Sequence, residues 1–290
     1  MASDPATTTP TIVASPTPQK ITLTGPQETL LATLYGRYKD AANPDPILGD
    51  KWAAQVVEKV DYDFAKTGMD VNACLSVAVR ARLLDEWTSE FLAAHPSATV
   101  LHLACGLDSR CLRVPHGPGV RWIDIDLPDV VTLREKLLPV PEGDYRLIAA
   151  SATDTDKWLV DIPADRPTVT VLEGLTMYLH EEDGRRLFEA IVKRFATPGG
   201  QLLFDCYGKI AIRLQNFIKP VKNTGSVLHW GLDDPNLLVQ WCPGLKIVDD
   251  IQSIKMPGIE KFPLSGRIQM WLVSYLPYLR DAGRMLRYQF

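Results

Sequence analysis

An apolar run of this chain ends at a glycine, and a carboxylate follows 20 residues past that glycine (126 − 106). This pair of residues has the spacing of a nucleotide-binding site. The run at residues 100–103 leads into Gly106, and a second apolar run ends at Asp126. In nucleotide-binding sheets the turn glycine lets the backbone approach the ligand, and an acid about 20 residues later accepts the ribose hydroxyls. The pair predicts an adenosine-containing cofactor bound by Gly106 and Asp126. A strand that merely ends in a glycine turn has the same local pattern, so the turn alone leaves the question open.

The turn does not have the glycines of a dinucleotide-binding loop. The three positions of the Gly-x-Gly-x-x-Gly pattern hold Ala104, Gly106 and Ser109, and the chain has no Gly-Lys-Ser/Thr sequence of a phosphate-binding loop. The carboxylate of Asp108 would repel a pyrophosphate but not a sulfonium cation. S-adenosylmethionine, which has a ribose and no phosphate, is therefore the cofactor that fits best.

The elements around these residues indicate an α/β fold. Strands are expected near residues 99–104, 120–125, 146–150, 168–173 and 200–206, with the clearest helix at residues 181–196. A further strand, a helix and a last strand are expected at residues 245–254, 267–280 and 285–290. Strands that alternate with helices predict a Rossmann-like, doubly wound, mostly parallel sheet. We divide the chain into a disordered tail (1–24), a helical N-terminal cap (25–97) and a core (98–290) with a lid insertion at about 208–244.

Composition narrows the function classes. The net charge of −4 and the absence of a basic patch argue against nucleic acid as a partner. The five cysteines are scattered and form no Cys-x-x-Cys pair, which predicts neither a disulfide framework nor a metal site. No segment approaches the ~18 apolar residues of a membrane helix, and the N-terminus lacks signal-peptide features. We expect a cytoplasmic protein that acts on a small molecule, with no membrane partner and with its oligomeric state open.

Six short motifs follow one another along the chain. They are Tyr62-Asp63-Phe64, Leu101-x-Leu103-Ala104-Cys105-Gly106-Leu107-Asp108-Ser109-Arg110, Asp126-Leu127-Pro128, Glu173-Gly174-Leu175-x-Met177-Tyr178-Leu179, Trp230-Gly231-Leu232-Asp233-Asp234-Pro235 and Trp241-x-Pro243-Gly244-Leu245. Together they resemble the leucine carboxyl methyltransferase family, in particular its branch of tetracenomycin-type polyketide O-methyltransferases. The resemblance spans about residues 27–290 and departs at Ala104, where the family usually has glycine. It implies the class I methyltransferase fold and S-adenosylmethionine as the cofactor.

The resemblance also implies which residues hold the methionine part of the cofactor. Arg82 takes the position of the arginine that pairs with the methionine carboxylate, and Arg80 and Arg37 are lesser candidates for this role. A solvated helical arginine is the alternative for Arg82. Glu173 takes the position of an acid that lies against the methionine part, where its charge suits an ammonium or sulfonium group.

Other matched positions concern the nucleoside. Asp126 is expected to accept both ribose hydroxyls; Asp124 is its rival, since strand alternation puts both acids on one face, but only Asp126 precedes Leu-Pro. Ser151 and Ala152 follow the third strand, where the family contacts adenine. A Ser/Thr turn at Ser151 is an equally good interpretation of that sequence.

For the acceptor, the resemblance implies a carboxyl or hydroxyl group on a small, aromatic or polyketide-like metabolite. We expect Tyr178, Tyr207 and Trp230 to line the acceptor pocket, with Tyr178 and His229 as candidate catalytic residues and no metal. A carboxylate acceptor is ionised at pH 7 and needs no base, whereas a hydroxyl would want one. Asp205, at the end of the fifth strand, is a further candidate base. Since no base is compelling, the alternative function is a non-methylating cyclisation or rearrangement on the same fold.

Overall fold

The computed structural model of the protein describes residues 19–20, 23 and 25–290. Most of the predicted tail, residues 1–24, lies outside the described residues. Within that segment Gln19–Lys20 form a short strand that pairs in parallel with Val60–Asp61. Two residues of the predicted tail therefore belong to a small parallel sheet with the N-terminal cap.

Seven strands of the described chain form one sheet. In chain order they are β1 (Thr99–Leu103), β2 (Arg121–Asp126), β3 (Asp144–Ala149), β4 (Thr168–Leu172), β5 (Gly200–Tyr207), β6 (Lys246–Gln252) and β7 (Gly283–Gln289). Their spatial order is β3-β2-β1-β4-β5-β7-β6, with β7 antiparallel to both of its neighbours and the other pairs parallel. The predicted doubly wound, mostly parallel sheet is confirmed.

The register of the sheet brings the carboxyl ends of its central strands to one edge. Leu103 of β1 lies beside Ile125 of β2 and Leu172 of β4, and Leu172 lies beside Phe204 of β5. Every residue of β1, β2 and β4 is buried, as expected for strands covered by helices on both faces. The residues that follow these strands therefore meet at the edge where open α/β sheets bind their ligands.

Helices precede, flank and follow this sheet. In chain order they are α1 (Thr29–Ala41), α2 (Lys51–Lys59), α3 (Val71–Ala94), α4 (Arg110–Arg113), α5 (Pro128–Leu137), α6 (Thr155–Trp158), α7 (Glu181–Arg194), α8 (Lys209–Arg213), α9 (Lys219–Thr224), α10 (Asn236–Trp241), α11 (Leu264–Ser274) and α12 (Pro277–Arg280). The helices α1 to α3 precede the sheet, and α8 to α10 fall in the segment predicted as a lid. No helix of the described residues has both the length and the apolar character to cross a bilayer.

One predicted helix is divided in the structure. The segment expected as a single helix at residues 267–280 forms α11 and α12, with Leu276 in an extended conformation between them. Pro277 is the reason, because its ring disfavours the helical conformation of the residue before it and it has no N–H to continue the helix.

The cap helices are tied to the turn after β1 by buried polar contacts. Asp50 begins α2, and its carboxylate accepts hydrogen bonds from the backbone N–H groups of Trp52 and Ala53. The same carboxylate accepts a hydrogen bond from the Ser109 hydroxyl at 2.6 Å. These contacts hold the start of α2 against the turn after β1.

Candidate functional site

A cavity of about 690 Å³ opens at the carboxyl edge of the sheet. The loop after β1, the ends of β2, β4 and β5, and the helices α1 and α3 form most of its wall. Residues of the segment 207–221 and the start of β7 complete it. The cavity has a polar end near the β1 and β2 termini and an apolar end near β5 and β7.

The polar end contains Gly106 and Asp126, the pair predicted to bind the cofactor. Ala104 and Gly106 both have a φ of 51°, in the left-handed region. The Gly106 N–H donates to Asp126 Oδ2 at 2.6 Å, and the Leu127 N–H donates to Oδ1 at 2.7 Å. Burial raises the pKa of Asp126, and these two hydrogen bonds oppose that rise. The carboxylate is held against the cavity with acceptor capacity left on each oxygen.

Asp124, the rival acid, has both of its carboxylate oxygens hydrogen-bonded to other buried side chains. Its carboxylate accepts hydrogen bonds from Arg134 at 2.6 Å, from Trp122 Nε1 at 2.8 Å and from the Tyr145 hydroxyl at 2.9 Å. Burial alone would raise the pKa of Asp124, but the Arg134 charge and these contacts hold it well below its ordinary value. Asp124 does not line the cavity, so of the two acids only Asp126 faces it.

The structure places Arg82 away from the cavity, contrary to the expectation from the resemblance. Its side chain is 52% exposed and donates hydrogen bonds to Glu86 at 2.6 Å and to the Ile47 carbonyl at 2.8 Å. Residues two apart on a helix point to opposite sides, so Arg80 of the same helix α3 faces the cavity instead.

Arg80 lies at the junction of the two ends of the cavity. Its Nε donates to Glu173 at 3.1 Å and its Nη1 donates to Asp205 at 2.9 Å. Glu173 also accepts a hydrogen bond from Arg110 at 2.6 Å, and Asp205 accepts one from the Gly174 N–H at 2.6 Å. Arg80 Nη2 has no hydrogen-bond partner among the described residues, and the guanidinium lines the cavity.

Glu173 and Asp205, the two acids at this junction, differ in the direction of their pKa shifts. Burial alone would raise the pKa of Glu173, but the guanidinium groups of Arg80 and Arg110 bring it below its ordinary value. Burial raises the pKa of Asp205, although Arg80 and the Gly174 N–H oppose the rise. Glu173 is thus firmly ionised, and Asp205 is the acid of the pair that is easier to protonate.

Arg37 and Asp108, at the polar end, each have a side-chain atom without a hydrogen bond to the described residues, although both atoms lie near opposite charges: Arg37 Nε is 3.7 Å from Asp50 Oδ2, and Asp108 Oδ2 is 3.4 Å from Arg110 Nη2. Arg37 Nε and Asp108 Oδ2 are buried and have no hydrogen-bond partner among the residues described, and both side chains line the cavity. Arg37 Nη1 lies 3.6 Å from Asp108 Oδ2. Buried polar atoms are nearly always hydrogen-bonded, so these two have hydrogen-bonding capacity that the described residues do not use.

Two residues expected to contact adenine do not line the cavity. The Ser151 hydroxyl lies 2.9 Å from the Thr153 hydroxyl, which is the Ser/Thr turn that the sequence also allowed. Ala152 is buried in the hydrophobic core, and its carbonyl accepts a hydrogen bond from Trp158 Nε1 at 3.3 Å. Local turn geometry and core packing therefore account for both residues.

The residues predicted for the acceptor pocket separate into two groups. Tyr178 and Tyr207 line the apolar end of the cavity, whereas Trp230 and His229 do not. Trp230 is buried in the core against α7, and His229 is exposed, with the centroid of its ring 4.2 Å from that of His180 and the two rings tilted by 37°. The backbone N–H groups of residues 229 and 230 are both directed at the Met177 carbonyl, which holds this segment along the outside of the cavity wall.

Sequence reasoning did not identify most of the apolar end. Its remaining wall is formed by aliphatic, aromatic and thioether side chains from separate segments, namely Met69, Ala73, Leu214, Phe217, Met256 and Met285. No local spacing connects these residues, so the sequence carried no signal for them.

The sequence matches a known family and several of its members. The model of the leucine carboxyl methyltransferase family matches residues 31–192. The tetracenomycin polyketide synthesis O-methyltransferase TcmP of Streptomyces glaucescens is 40% identical over 275 residues, which cover 94% of this chain and 99% of that protein. The S-adenosyl-L-methionine-dependent methyltransferase dpfgK of Gibberella zeae is 42% identical over 245 residues, which cover 78% of this chain and 82% of that protein.

Solved structures with this fold are more distant in sequence. A candidate methyltransferase from Thermobifida fusca has a TM-score of 0.57 at 16% identity and covers 87% of this chain and 93% of its own. A DUF574 family protein from Streptomyces avermitilis has a TM-score of 0.53 at 13% identity and covers 88% of this chain and 96% of its own. These two support the fold, and the sequence matches support the family. The chain belongs to the leucine carboxyl methyltransferase family.

Proposed function

We propose that this protein is an S-adenosylmethionine-dependent O-methyltransferase that methylates a carboxyl or hydroxyl oxygen of a small, aromatic or polyketide-like metabolite. One observation carries the proposal: a single cavity joins the Gly106–Asp126 turn to an apolar end, with the Arg80 cation between them. The names of the two similar enzymes, a polyketide O-methyltransferase and an S-adenosylmethionine-dependent methyltransferase, support the same activity.

The polar end of the cavity has the groups that S-adenosylmethionine requires. Asp126 has free acceptor capacity for the ribose hydroxyls. Arg37 Nε and Asp108 Oδ2 make ion pairs but no hydrogen bonds with the described residues, so they can still donate to the carboxylate and accept from the ammonium of an amino acid. Arg80, in place of Arg82, presents Nη2 for the same carboxylate. Bound there, S-adenosylmethionine supplies a methyl group made electrophilic by its sulfonium.

The residues of the apolar end select and orient the acceptor. Its wall is made of methionine, aromatic and aliphatic side chains, which favours a flat, apolar molecule over a charged peptide terminus. An apolar wall also keeps water from competing with the acceptor oxygen for the methyl group. The lining of the cavity and the names of the similar enzymes both support this acceptor class.

Two tyrosines at this end keep their protons. Burial raises the pKa of Tyr178, although Thr29 and Arg80 oppose the rise, and burial raises the pKa of Tyr207 to about 12. At neutral pH both are therefore hydrogen-bond donors, suited to orienting the acceptor oxygen and unsuited to removing its proton. A carboxylate acceptor needs no base, and for a hydroxyl acceptor Asp205 is the carboxylate nearest this end with a raised pKa.

Calorimetry with S-adenosylhomocysteine and a methylation assay test the proposal in two steps. We expect binding to the wild type, and an increase in Kd of about 100-fold for Asp126→Ala, which loses hydrogen bonds to a charged acceptor. Ser151→Ala is the matched control, because its hydroxyl bonds within a turn outside the cavity, and its Kd should not change. Absence of binding to the wild type would refute the cofactor assignment.

The second step uses pairs of aromatic acceptors. The protein is incubated with S-adenosylmethionine and either a hydroxyanthraquinone carboxylic acid or its analogue without the carboxyl group. The masses of the products are measured by mass spectrometry. A gain of one methylene identifies methylation, and the member of each pair that reacts identifies the oxygen. A product of unchanged mass but altered retention would support the alternative, a rearrangement on the same fold.

A further inference from the structure

Helix α11 carries apolar side chains toward solvent in the regular pattern of a buried face. Leu264, Ile268, Trp271, Leu272 and Tyr275 recur at helical spacing, and all are exposed, by 48% to 69%. The opposite side of the helix already packs on the protein, where Gly266 lies against Asn72. A helix that is apolar on both sides is normally covered on both sides.

The apolar face continues past α11 into α12. We define the 264–278 face as the exposed large apolar side chains of this segment, namely Leu264, Ile268, Trp271, Leu272, Tyr275, Leu276 and Tyr278. An aromatic side chain buries about 150–250 Å², so these seven together present roughly 800 Å². The largest apolar patch of a typical monomer is about 300–600 Å², whereas one side of a standard interface is about 800 Å². The 264–278 face is therefore the size of an interface.

The charge of the 264–278 face decides which occupant it fits. Arg267 is the single charged residue between positions 264 and 278, and Lys255 is the one other charged residue that lines the groove beside Ile268 and Trp271, so this surface lacks the cluster of lysines and arginines that attracts an anionic membrane or an acidic protein. Two copies of an apolar face need no charge complementarity, because an isologous interface pairs a patch with itself. Trp271 and Tyr275 contact each other edge to face at 5.0 Å and are the residue types that dominate binding energy in interface centres.

We propose that the 264–278 face is the interface of a homodimer in which α11 of one copy packs on α11 of the other. The interface borders the active-site cavity, because Ser253 lines the cavity and the next residues, Ile254 and Lys255, line the groove beside Ile268 and Trp271. A second copy seated there narrows the access of solvent to the apolar end.

Sedimentation velocity across a dilution series in the micromolar range tests the dimer. The wild type should sediment with twice the mass of one chain and dissociate on dilution. Trp271→Glu places one charge from each copy in the interface and should raise the dimer Kd by about 100-fold or more. Val140→Glu is the matched control: Val140 is 79% exposed but lies just before β3, at the opposite edge of the sheet, and its Kd should match the wild type.

Hydrogen exchange of the wild type gives a test that needs no variant. Peptides from residues 264–280 should be protected at high concentration and exchange faster on dilution, whereas peptides from residues 138–144 should not respond. A wild type that keeps the mass of one chain throughout the series would overturn the proposal. So would protection of the face in a chain that sediments as a monomer, which means that the same chain covers it, or binding of a monomer to phosphatidylcholine vesicles.

Discussion

Exchanging Arg80 for methionine should weaken cofactor binding strongly, whereas the same exchange at Arg82 should not. The two arginines are two residues apart on α3, and only Arg80 faces the cavity. A hydrogen bond to a charged group contributes about 1.5–3 kcal/mol. Loss of the contact between Arg80 and the methionine carboxylate should therefore raise the Kd for S-adenosylhomocysteine by about 10- to 150-fold.

The same substitution should also lower stability. Breaking a buried ion pair by removing one partner costs about 3–5 kcal/mol. Arg80 is 15% exposed on its side chain, Glu173 keeps its bond to Arg110, and Asp205 keeps its bond to the Gly174 N–H. We therefore expect the lower end, a loss of about 3 kcal/mol in the free energy of unfolding. Arg82→Met removes an exposed pair with Glu86, which is worth about 0.5 kcal/mol.

Calorimetry with S-adenosylhomocysteine and urea denaturation followed by circular dichroism separate the two effects. Arg80→Lys keeps the charge but not the fork of the guanidinium, so it should restore part of the stability and less of the binding. The reasoning fails if a folded Arg80→Met binds S-adenosylhomocysteine like the wild type. It fails equally if Arg82→Met weakens binding as much as Arg80→Met.

Four further outcomes follow from single residues. The affinity for S-adenosylhomocysteine should fall with decreasing pH as the raised pKa of Asp126 is approached, since a protonated carboxyl loses acceptors; calorimetry of Asp126→Asn should show a flat profile. Ala104→Gly should raise the free energy of unfolding in urea by about 1 kcal/mol, because φ is 51° there. Gly184→Ala sets a Cβ 2.3 Å from Trp230 Cζ3 and should lower the free energy of unfolding in urea by about 2 kcal/mol, with the Kd for S-adenosylhomocysteine unchanged. His229→Ala should leave kcat unchanged, and a large loss would restore that residue as a candidate base.

Much of the fold was predictable because its signals are local. The five parallel strands lie within three residues of their predicted bounds, since strands covered on both faces are short apolar runs between turns. The helix α7 begins at its predicted residue, Glu181, where acidic residues suit the first turn. The divided helix at residues 267–280 was missed, although Pro277 was a local signal for the break.

The site was predictable only in part. The Gly106 and Asp126 pair was found because turn chemistry and strand spacing fix both residues within one βαβ unit. The preference for Arg82 over Arg80 came from the resemblance, and the sequence does not show which side of α3 faces the sheet edge. The adenine contact of Ser151 came from the resemblance and stays a prediction; Ser151 lies outside the cavity wall, in the Ser/Thr turn that its sequence also allowed.

By itself the sequence determined the α/β class, the family and the turn that lines the polar end of the cavity, because these depend on periodicity and on residues close together in the chain. Only the tertiary structure decided which arginine faces the cavity and that Trp230 belongs to the core. It alone assembled the apolar end from the N-terminal cap, the segment 207–221 and the start of β7. The physical reason is that the direction of a side chain depends on what its element packs against, and that partner is distant in sequence.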